Sequence, residues 1–265
     1  MSASPKTPRP TAAGPKLAWR GVSKRFDGAP VLDGLDLAVD AGRSLVIIGG
    51  SGQGKSVTLK VALGLMAPDA GEIALDGQDV ARLPRAARSK LFSRFGVLFQ
   101  GAALFDSLSV WENVGFRLIN ADGVRRKAAR ERAIEALGRV RLGPEVADLY
   151  PGELSGGMQK RVGLARAVVA TPEIIFFDEP TTGLDPITAA AINDLIVEQV
   201  RRLGCTAVSI THDLASARTI GDEIAMLHKG RIIWRGTPAD LDSTDDPRLR
   251  QFVDGRPDGP LTDRR

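Results

Sequence analysis

Residues Ser44–Ser56 read SLVIIGGSGQGKS, a short apolar run that leads into a glycine-rich loop. The loop fits the pattern G-x-x-x-x-G-K-[ST], and a helical stretch, Ser56–Leu65, follows it. Glycines let the backbone curl so that N–H groups converge on a phosphate, and the N-terminus of the following helix attracts the same charge. We therefore expect a phosphate site here, with Lys55 at the β- and γ-phosphates and the Ser56 hydroxyl on Mg²⁺. The residues assigned to it are Gly49, Gly50, Ser51, Gly52, Gln53, Gly54, Lys55 and Ser56.

The chain alternates buried-strand runs with helical patterns. SLVII before the loop is matched by IIFF at Ile174–Phe177 and by TAVSI at Thr206–Ile210. Apolar runs without alternation suit strands that are buried on both faces, as in a parallel sheet. Between the last two runs, apolar residues repeat on one helix face at Ile192, Leu195, Ile196, Val200 and Leu203. These patterns predict an α/β layered fold.

Other regions depart from this alternation. Residues 23–40 and 72–80 predict an antiparallel edge sheet, with turns at Asp27-Gly28, Asp33-Gly34 and Asp76-Gly77. From about residue 101 to 150 no buried-strand run occurs, which indicates an inserted helical subdomain at about 101–165. We expect a disordered tail at 1–16, one main domain at 17–241 and a C-terminal extension at 242–265. The extension carries an apolar group formed by Leu249, Phe252 and Val253.

Polar side chains follow each of the later buried runs. Asp178 and Glu179 end one run, and His212 follows the other. Because ligands of open α/β sheets sit beyond the carboxyl ends of the strands, we expect Gly49, Asp178 and His212 to converge on one edge. Asp178 would then hold Mg²⁺, Glu179 would orient or deprotonate an attacking water, and His212 would contact the γ-phosphate.

Two further candidate side chains have open interpretations. Gln100 follows the apolar residues VLF and opens the helical insertion. Its amide binds Mg²⁺ or the attacking water, or it has no part in the site. Phe26, in KRFDG, either stacks on adenine or is a core aromatic residue.

A second glycine loop lies about a hundred residues after the first. Leu154–Arg161 reads LSGGMQKR, so a Ser-Gly-Gly turn presents a hydroxyl and backbone N–H groups at a helix start. Lys160 and Arg161 lie in the first turn of that helix, where each cation opposes the helix dipole by about 0.3–1 kcal/mol. Either an anion brought from outside offsets that cost, or both side chains are solvated on a surface helix.

The order of these motifs resembles that of the ATPase subunits of ABC transporters. The resemblance covers about Leu17–Leu241 and rests on both loops, Gln100, IIFFDEP, GLDP at Gly183–Pro186, and His212. It implies an α/β fold with a P-loop NTPase (RecA-like) core, an antiparallel edge sheet and an inserted helical subdomain. It also implies a homodimer with shared ATP sites, in which the second loop covers the γ-phosphate of ATP held by the partner. The residues that the resemblance adds to the nucleotide site are Ser155, Gly156, Gly157 and Asp185.

Two stretches resemble one branch of this family. Phe99–Val114 (FQGAALFDSLSVWENV) and Asp245–Pro260 (DDPRLRQFVDGRPDGP) are similar to the subunits that power maintenance of lipid asymmetry (Mla) and toluene tolerance in Gram-negative bacteria. This implies phospholipid transport between the inner and outer membranes by a subunit on the cytoplasmic face of the inner membrane. It implies an integral membrane permease, a periplasmic MCE-type lipid-binding protein and a small STAS-domain protein as partners. Either the permease or the subdomain core is expected to contact Leu104, Phe105, Leu108 and Trp111.

Composition bears on the remaining alternatives. The net charge of +4 is too small to argue for nucleic acid, and we expect no such partner. No apolar run approaches the roughly 18 residues of a spanning helix, and no signal peptide is visible. The single cysteine, Cys205, excludes an intrachain disulfide.

Two alternatives stay open: an ABC transporter for another solute, and a soluble ABC ATPase that acts on DNA or ribosomes. The chain has neither the long coiled-coil insertion nor the tandem ATPase domains that would favour the latter.

Overall fold

The computed structural model describes residues 14–262 of the chain. The predicted tail at 1–16 therefore lies largely outside the described residues. Over residues 14–262 the chain forms ten strands and nine α-helices. The strands are β1 (Leu17–Phe26), β2 (Ala29–Val39), β3 (Ser44–Ile48), β4 (Ala70–Leu75), β5 (Gln78–Asp79), β6 (Phe95–Leu98), β7 (Ile174–Asp178), β8 (Thr206–Ile210), β9 (Glu223–His228) and β10 (Arg231–Gly236). The α-helices are α1 (Lys55–Ala62), α2 (Arg85–Phe92), α3 (Val110–Asn120), α4 (Arg126–Arg139), α5 (Gly156–Val168), α6 (Pro186–Leu203), α7 (Leu214–Ile220), α8 (Pro238–Ser243) and α9 (Pro247–Val253).

The described residues divide into two compact units. The first unit contains the residues up to Phe92 together with those from Val208 onward, and the second contains Ser93–Ala207. The phosphate loop lies in the first unit. The second unit contains Gln100, the Ser-Gly-Gly turn and the two carboxylates that follow IIFF. No helix within residues 14–262 is both long and apolar enough to cross a membrane.

The first unit contains the predicted antiparallel sheet, with strand order β2-β1-β4-β5. Turns at Asp27-Gly28 and Asp76-Gly77 connect its strands, as predicted. The predicted turn at Asp33-Gly34 is wrong, because β2 continues through these residues. Its register against β1 shifts at this point instead, between the pairs Val22–Leu35 and Lys24–Leu32. A local irregularity in a strand gives the same Asp-Gly signal as a turn.

A second set of strands in the first unit positions the phosphate loop. β9 pairs in parallel with β3 and antiparallel with β10, and the end of β8 lies beside β3. Every residue of Leu45–Ile48 is fully buried, which explains the unbroken apolar run in the sequence. The strand therefore delivers Gly49 from the interior of the unit to its surface-facing loop.

The C-terminal extension is folded onto the first unit. Leu249 of α9 is fully buried, while Phe252 and Val253 are half-buried. The Gln251 amide donates to the backbone oxygen of Arg256 at 3.2 Å, and its side-chain oxygen accepts from the Leu261 N–H at 2.7 Å. The apolar group of the extension thus uses Leu249 within its own chain, rather than leaving it open for a neighbouring protein.

The second unit packs helices around a pair of parallel strands. β6 and β7 pair in the register Phe95 with Ile174, and Phe95 meets Phe176 edge-on at a ring-centroid distance of 5.2 Å. Helices α3, α4 and α5 contact one another, and small residues such as Ala129 and Ala133 are fully buried between them. The helical character predicted for the region from 101 to 150 is confirmed by α3 and α4.

Candidate functional site

The phosphate loop connects β3 to α1 through backbone conformations that favour glycine. Gly49 has φ 152° and Gly54 has φ 103°. A Cβ atom on Gly49 would lie 2.4 Å from the Leu227 oxygen, and one on Gly54 would lie 2.8 Å from the Val31 oxygen. Both glycines are therefore required by backbone angle and by space, which fixes the path of the loop into the helix.

Two side chains of the loop, Lys55 and Gln53, form hydrogen bonds with the main chain. The Lys55 ammonium is 8% exposed and donates to the Gly49 oxygen at 2.7 Å and the Gly50 oxygen at 3.0 Å. The Gln53 side-chain oxygen accepts from the Lys229 N–H at 2.6 Å. These contacts hold the ammonium at the centre of the loop. The exposed members of the loop are Ser51, Gly52 and Ser56.

The Ser-Gly-Gly turn starts a long helix. Ser155 is the N-cap of α5, and its hydroxyl oxygen accepts from the Met158 N–H at 3.3 Å. Because that oxygen acts as an acceptor here, the hydroxyl hydrogen can still be donated outward. Ser155 and Gly156 are exposed, whereas a Cβ on Gly157 would lie 2.9 Å from the Thr188 methyl group. The turn therefore offers a hydroxyl and backbone N–H groups to a ligand outside the unit.

The two carboxylates end β7 in different backbone conformations. Asp178 is the last residue of the strand, and Glu179 has the left-handed φ of 48°. Such a φ in a non-glycine residue costs on the order of 1–3 kcal/mol, and residues of this kind cluster at functional sites. The Thr182 hydroxyl donates to Glu179 Oε2 at 3.1 Å. Both carboxylates are half-buried, so each remains partly accessible to solvent.

Gln100 is exposed. Its backbone oxygen accepts a hydrogen bond from Lys160, which the sequence analysis had placed either beside an external anion or in solvent. The Lys160 ammonium donates to the backbone oxygen of Gln100, and also to that of Glu179 at 3.3 Å. Lys160 is only 6% exposed, so its interpretation as a solvated surface cation is wrong. The side chain points into the second unit, away from any anion at the helix start. No sequence signal marked this, because lysine is rarely buried and the helix pattern alone does not fix which residues face inward.

Asp185 has a structural contact of its own. It is the N-cap of α6, and its Oδ1 accepts from the Ile187 and Thr188 N–H groups, each at 3.0 Å. Hydrogen bonds from the Thr188 side chain and backbone hold the pKa of this carboxyl below its usual range. Capping of α6 is a sufficient structural reason for an aspartate at position 185. Its role in nucleotide binding stays a prediction.

The remaining candidates of the first unit lie at its surface. His212 is exposed and follows β8, the neighbour of β3. Phe26, at the end of β1, is 42% exposed, and the Lys24 ammonium lies 5.8 Å from its ring centroid. This exposure excludes the interpretation of Phe26 as a core residue, and its stacking on adenine stays a prediction.

The apolar residues after Gln100 divide into two groups. Trp111 is 9% exposed and belongs to the core of the second unit, where the Arg126 guanidinium lies 5.0 Å from its ring centroid. Phe105 is 45% exposed and lies 4.7 Å from the Phe116 ring, which is 38% exposed. Leu104 and Leu108 are half-buried beside them. The sequence analysis missed Phe116, which lies on α3 beyond Trp111 and outside the quoted stretch Phe99–Val114.

Comparisons with known proteins show the family to which the chain is similar. Residues 32–182 match the family model described as ABC transporter. The chain is 37% identical over 248 residues to the probable ribonucleotide transport ATP-binding protein mkl of Mycobacterium tuberculosis, covering 94% of this chain and 69% of mkl. It is 38% identical over 245 residues to the intermembrane phospholipid transport system ATP-binding protein MlaF of Escherichia coli K12, covering 91% of this chain and 90% of MlaF.

Solved structures with the same fold belong to similar proteins. One neighbour is described as a dimeric post-hydrolysis state of the ATP-binding cassette MJ0796 bound to ADP and Pi. It has a TM-score of 0.76 and 31% sequence identity, and covers 84% of this chain and 98% of its own.

Proposed function

Because the chain belongs to the ABC transporter family and is an ATPase of that family, we propose that it drives phospholipid transport between the inner and outer membranes. The observation that carries the proposal is the similarity to MlaF, which spans 91% of this chain and 90% of MlaF. That span exceeds the family model at 32–182 on both sides. The similarity to mkl, which is named for ribonucleotide transport, supports a second candidate for the transported substance.

In this proposal the phosphate loop holds the nucleotide of its own chain. The N–H groups of Gly49–Ser56 and the N-terminus of α1 surround the phosphates. The Lys55 ammonium exchanges the backbone oxygens of Gly49 and Gly50 for β- and γ-phosphate oxygens, which are stronger acceptors because they are charged. Phe26 stacks on the adenine, and its exposure at the end of β1 supports this role.

Mg²⁺ fits the oxygen donors assigned to it. Ser56, Gln100 and Asp178 supply a hydroxyl, an amide oxygen and a carboxylate, which are the hard ligands that Mg²⁺ prefers. Within residues 14–262, no group of three or more His, Cys, Asp or Glu side chains could hold a metal ion by itself. The three protein oxygens of Ser56, Gln100 and Asp178 leave room for water and phosphate oxygens around the ion, as Mg²⁺ requires. When bound, the ion neutralises charge on the transferred phosphoryl group.

Hydrolysis is assigned to residues at the strand ends. Glu179 orients or deprotonates the attacking water, Gln100 contacts that water or the metal, and His212 contacts the γ-phosphate. The left-handed φ of 48° at Glu179 supports its role, because strain of this kind has to be stabilised by its surroundings.

The second loop serves a neighbouring chain in this proposal. Ser155, Gly156 and Gly157 cover the γ-phosphate of ATP held by a partner subunit in a head-to-tail homodimer, and Asp185 lies at the same junction. The exposure of Ser155 and Gly156 supports this role, because a ligand outside the chain can reach both residues. ATP then closes the dimer and hydrolysis reopens it.

The other proposed partners are a permease in the inner membrane, an MCE-type lipid-binding protein and a STAS-domain protein. The chain would bind the cytoplasmic face of the permease as a peripheral protein. The exposed rings of Phe105 and Phe116 support such a contact, because two neighbouring exposed aromatic residues favour burial against a partner. Nucleic acid is not among the proposed partners.

Purification of the tagged chain from membranes tests this proposal. We expect a multi-span membrane protein to co-purify, with phospholipid detected in the complex by mass spectrometry. Addition of ATP should change the amount of bound phospholipid with the wild-type chain but not with Glu179→Gln. Ribonucleotide is measured in the same samples. Ribonucleotide that responds to ATP in place of phospholipid would support the second candidate, and a chain without any membrane partner would contradict transport.

A further inference from the structure

Lys160 is a buried cation that the proposed mechanism does not use. Its side chain is 6% exposed, and its ammonium donates to the backbone oxygens of Gln100 and Glu179. Burial lowers the pKa of this ammonium, and the nearby carboxylates of Asp178 and Glu179 oppose the shift. Burying a lysine costs free energy because the ammonium loses its hydration. The hydrogen bonds to the two backbone oxygens offset part of that cost.

The segment after Gln100 is strained and is held by the same helix. Ala102 has φ 58° and Ala103 has φ 47°, so two consecutive non-glycine residues adopt the left-handed conformation. Arg166, six residues after Lys160 on α5, donates to the Ala103 oxygen at 2.8 Å and to the Ala102 oxygen. Each left-handed residue costs about 1–2 kcal/mol, so the segment needs contacts of this kind to keep its shape.

Close packing of α5 on this segment adds to the two cations. Gly163 lies between Lys160 and Arg166 on the helix, and a Cβ there would lie 2.7 Å from a Leu98 methyl group and 3.2 Å from the Ala102 Cβ. Without a side chain at 163, the helix approaches the segment closely enough for both cations to reach its carbonyls. Three positions on α5, spaced three residues apart, thus contact the segment that carries Gln100.

The other acceptor of Lys160 is strained as well. Glu179 has φ 48°, and its backbone oxygen accepts from Lys160 at 3.3 Å and from the Thr182 N–H at 3.3 Å. One ammonium therefore contacts the main chain of Glu179, which is left-handed, and of Gln100, which lies two residues before the left-handed Ala102. A point cation with three donors can serve two carbonyls at once, which no apolar side chain can do.

From these contacts we propose that Lys160 is a positioning residue, which fixes the backbones of Gln100 and Glu179 to helix α5 so that both side chains are held for hydrolysis. The proposal rests on the roles given above to Gln100 and Glu179. It also connects two roles of the chain, binding of the partner's ATP and hydrolysis of its own, because Ser155 caps the helix that carries Lys160. The helix that meets the partner's ATP is thereby tied to the residues that act on the chain's own ATP.

Two substitutions at Lys160 separate hydrogen bonding from charge and bulk. Lys160→Met keeps an unbranched side chain of similar length without donors, and Lys160→Gln keeps two N–H donors without charge. We expect Lys160→Met to lower kcat by about 100-fold, since small misplacements of catalytic groups cost this much. Its Kd for ATP, measured without turnover, should stay within about twofold of wild type because the phosphate loop is unchanged. Lys160→Gln should recover at least about a tenth of the wild-type kcat.

Controls in the same full-length preparation decide between explanations. Lys127→Met makes the same chemical change at an exposed position of α4 and should have wild-type kcat and Kd. A wild-type kcat in Lys160→Met, or a parallel loss of kcat and ATP binding, would overturn the positioning role. Equal kcat in Lys160→Gln and Lys160→Met would overturn the bridging of carbonyls. Glu179→Gln is assayed alongside, so that turnover in that variant would place the failure in the proposed function instead.

Discussion

The phosphate loop and the Gln100–Glu179 region solve the same structural problem with different residues. Both need left-handed backbone angles at the end of a strand. In the loop, glycines such as Gly52 and Gly54 adopt them at no steric cost. In the second unit, Ala102, Ala103 and Glu179 adopt them, and two cations of α5, the buried Lys160 and the half-buried Arg166, donate to carbonyls there. A site built from glycine is visible in the sequence, whereas a site held by contacts becomes visible only in the structure.

The comparison predicts that the two regions fail in different ways. Glu179→Gln keeps the shape of the side chain but cannot act as a base, so turnover should fall by about 1,000-fold while ATP still binds. Steady-state hydrolysis and nucleotide binding are measured on the same preparation. Near wild-type turnover would remove Glu179 from its role and, with it, the functional reason for the strained backbone.

In the loop, loss should appear in binding rather than in the chemical step. Lys55→Ala removes a charge-assisted contact to phosphate, so ATP affinity should fall by about 10- to 100-fold. Binding titration by a fluorescent ATP analogue, with unlabelled ATP as competitor, provides the measurement. Unchanged affinity would contradict the assignment of Gly49–Ser56 as the nucleotide site.

Exchange of glycine and alanine tests the comparison itself. Gly54→Ala places a Cβ 2.8 Å from the Val31 oxygen at φ 103°, so the free energy of unfolding should fall by about 1–3 kcal/mol. Ala103→Gly relieves a strained angle but makes the unfolded chain more flexible, so its effect should stay within about 1 kcal/mol. Urea unfolding of both variants gives the two values. Equal destabilisation would show that the alanine segment depends on its side chains as strictly as the loop depends on having none.

The smallest effect is expected at Asp185. Its pKa lies below the usual value because of hydrogen bonds from Thr188, so the carboxylate stabilises the fold above its unfolded pKa. That contribution is lost as the pH falls through the lowered pKa. Asp185→Asn keeps an acceptor at every pH, so its melting temperature should be slightly below wild type at pH 7, and the gap should narrow at pH 3.

Asp185→Asn also separates the cap from the predicted nucleotide role. A residue that serves only as a cap leaves the Kd for ATP unchanged when asparagine replaces it. A gap in melting temperature that does not vary with pH would contradict the explanation from the carboxylate. A weakened Kd would support the nucleotide role.

Much of the fold could be predicted because buried strands have an unmistakable composition. SLVII and TAVSI coincide with β3 and β8, and IIFF forms all of β7 except its last residue. The sequence analysis did not identify β10, since its residues Arg231–Gly236 are mostly half-buried and two of them are arginines. The turn predicted at Asp33-Gly34 was wrong because Asp-Gly also marks an irregularity inside a strand. The sequence analysis also missed β9, although its residues Ile224–Leu227 are buried, so partial burial explains only the failure at β10. Turn signals fail where a strand bends.

The candidate site could likewise be predicted from the sequence only in part. The phosphate loop could be assigned from its spacing alone, because the chemistry requires glycine, lysine and serine at fixed positions. The resemblance to ABC transporter ATPases is confirmed by the match of residues 32–182 and by the relatives at 37% and 38% identity. The contacts of Lys160 could not be predicted, because its acceptors are backbone oxygens 60 and 19 residues away. A backbone carbonyl has no sequence signature.

The central claim is that two chains build each ATP site, and a mixture of two variants tests it most directly. One chain carries Lys55→Ala and the other carries Ser155→Arg. In either homodimer both sites are defective. In the mixed dimer one site collects both defects, and the other combines an intact phosphate loop with an intact Ser-Gly-Gly turn.

Stable trapping of nucleotide in the mixed dimer, with the permease present, is the measurement. Trapping is chosen because a single intact site hydrolyses slowly if the two sites cooperate. We predict that neither homodimer traps nucleotide and that the mixed dimer recovers up to about half of the wild-type amount, since one of its two sites is intact. If Ser155 acted on the ATP of its own chain, every site in every mixture would carry a defect. Mixed dimers that demonstrably form and yet trap no nucleotide would contradict the two-chain site.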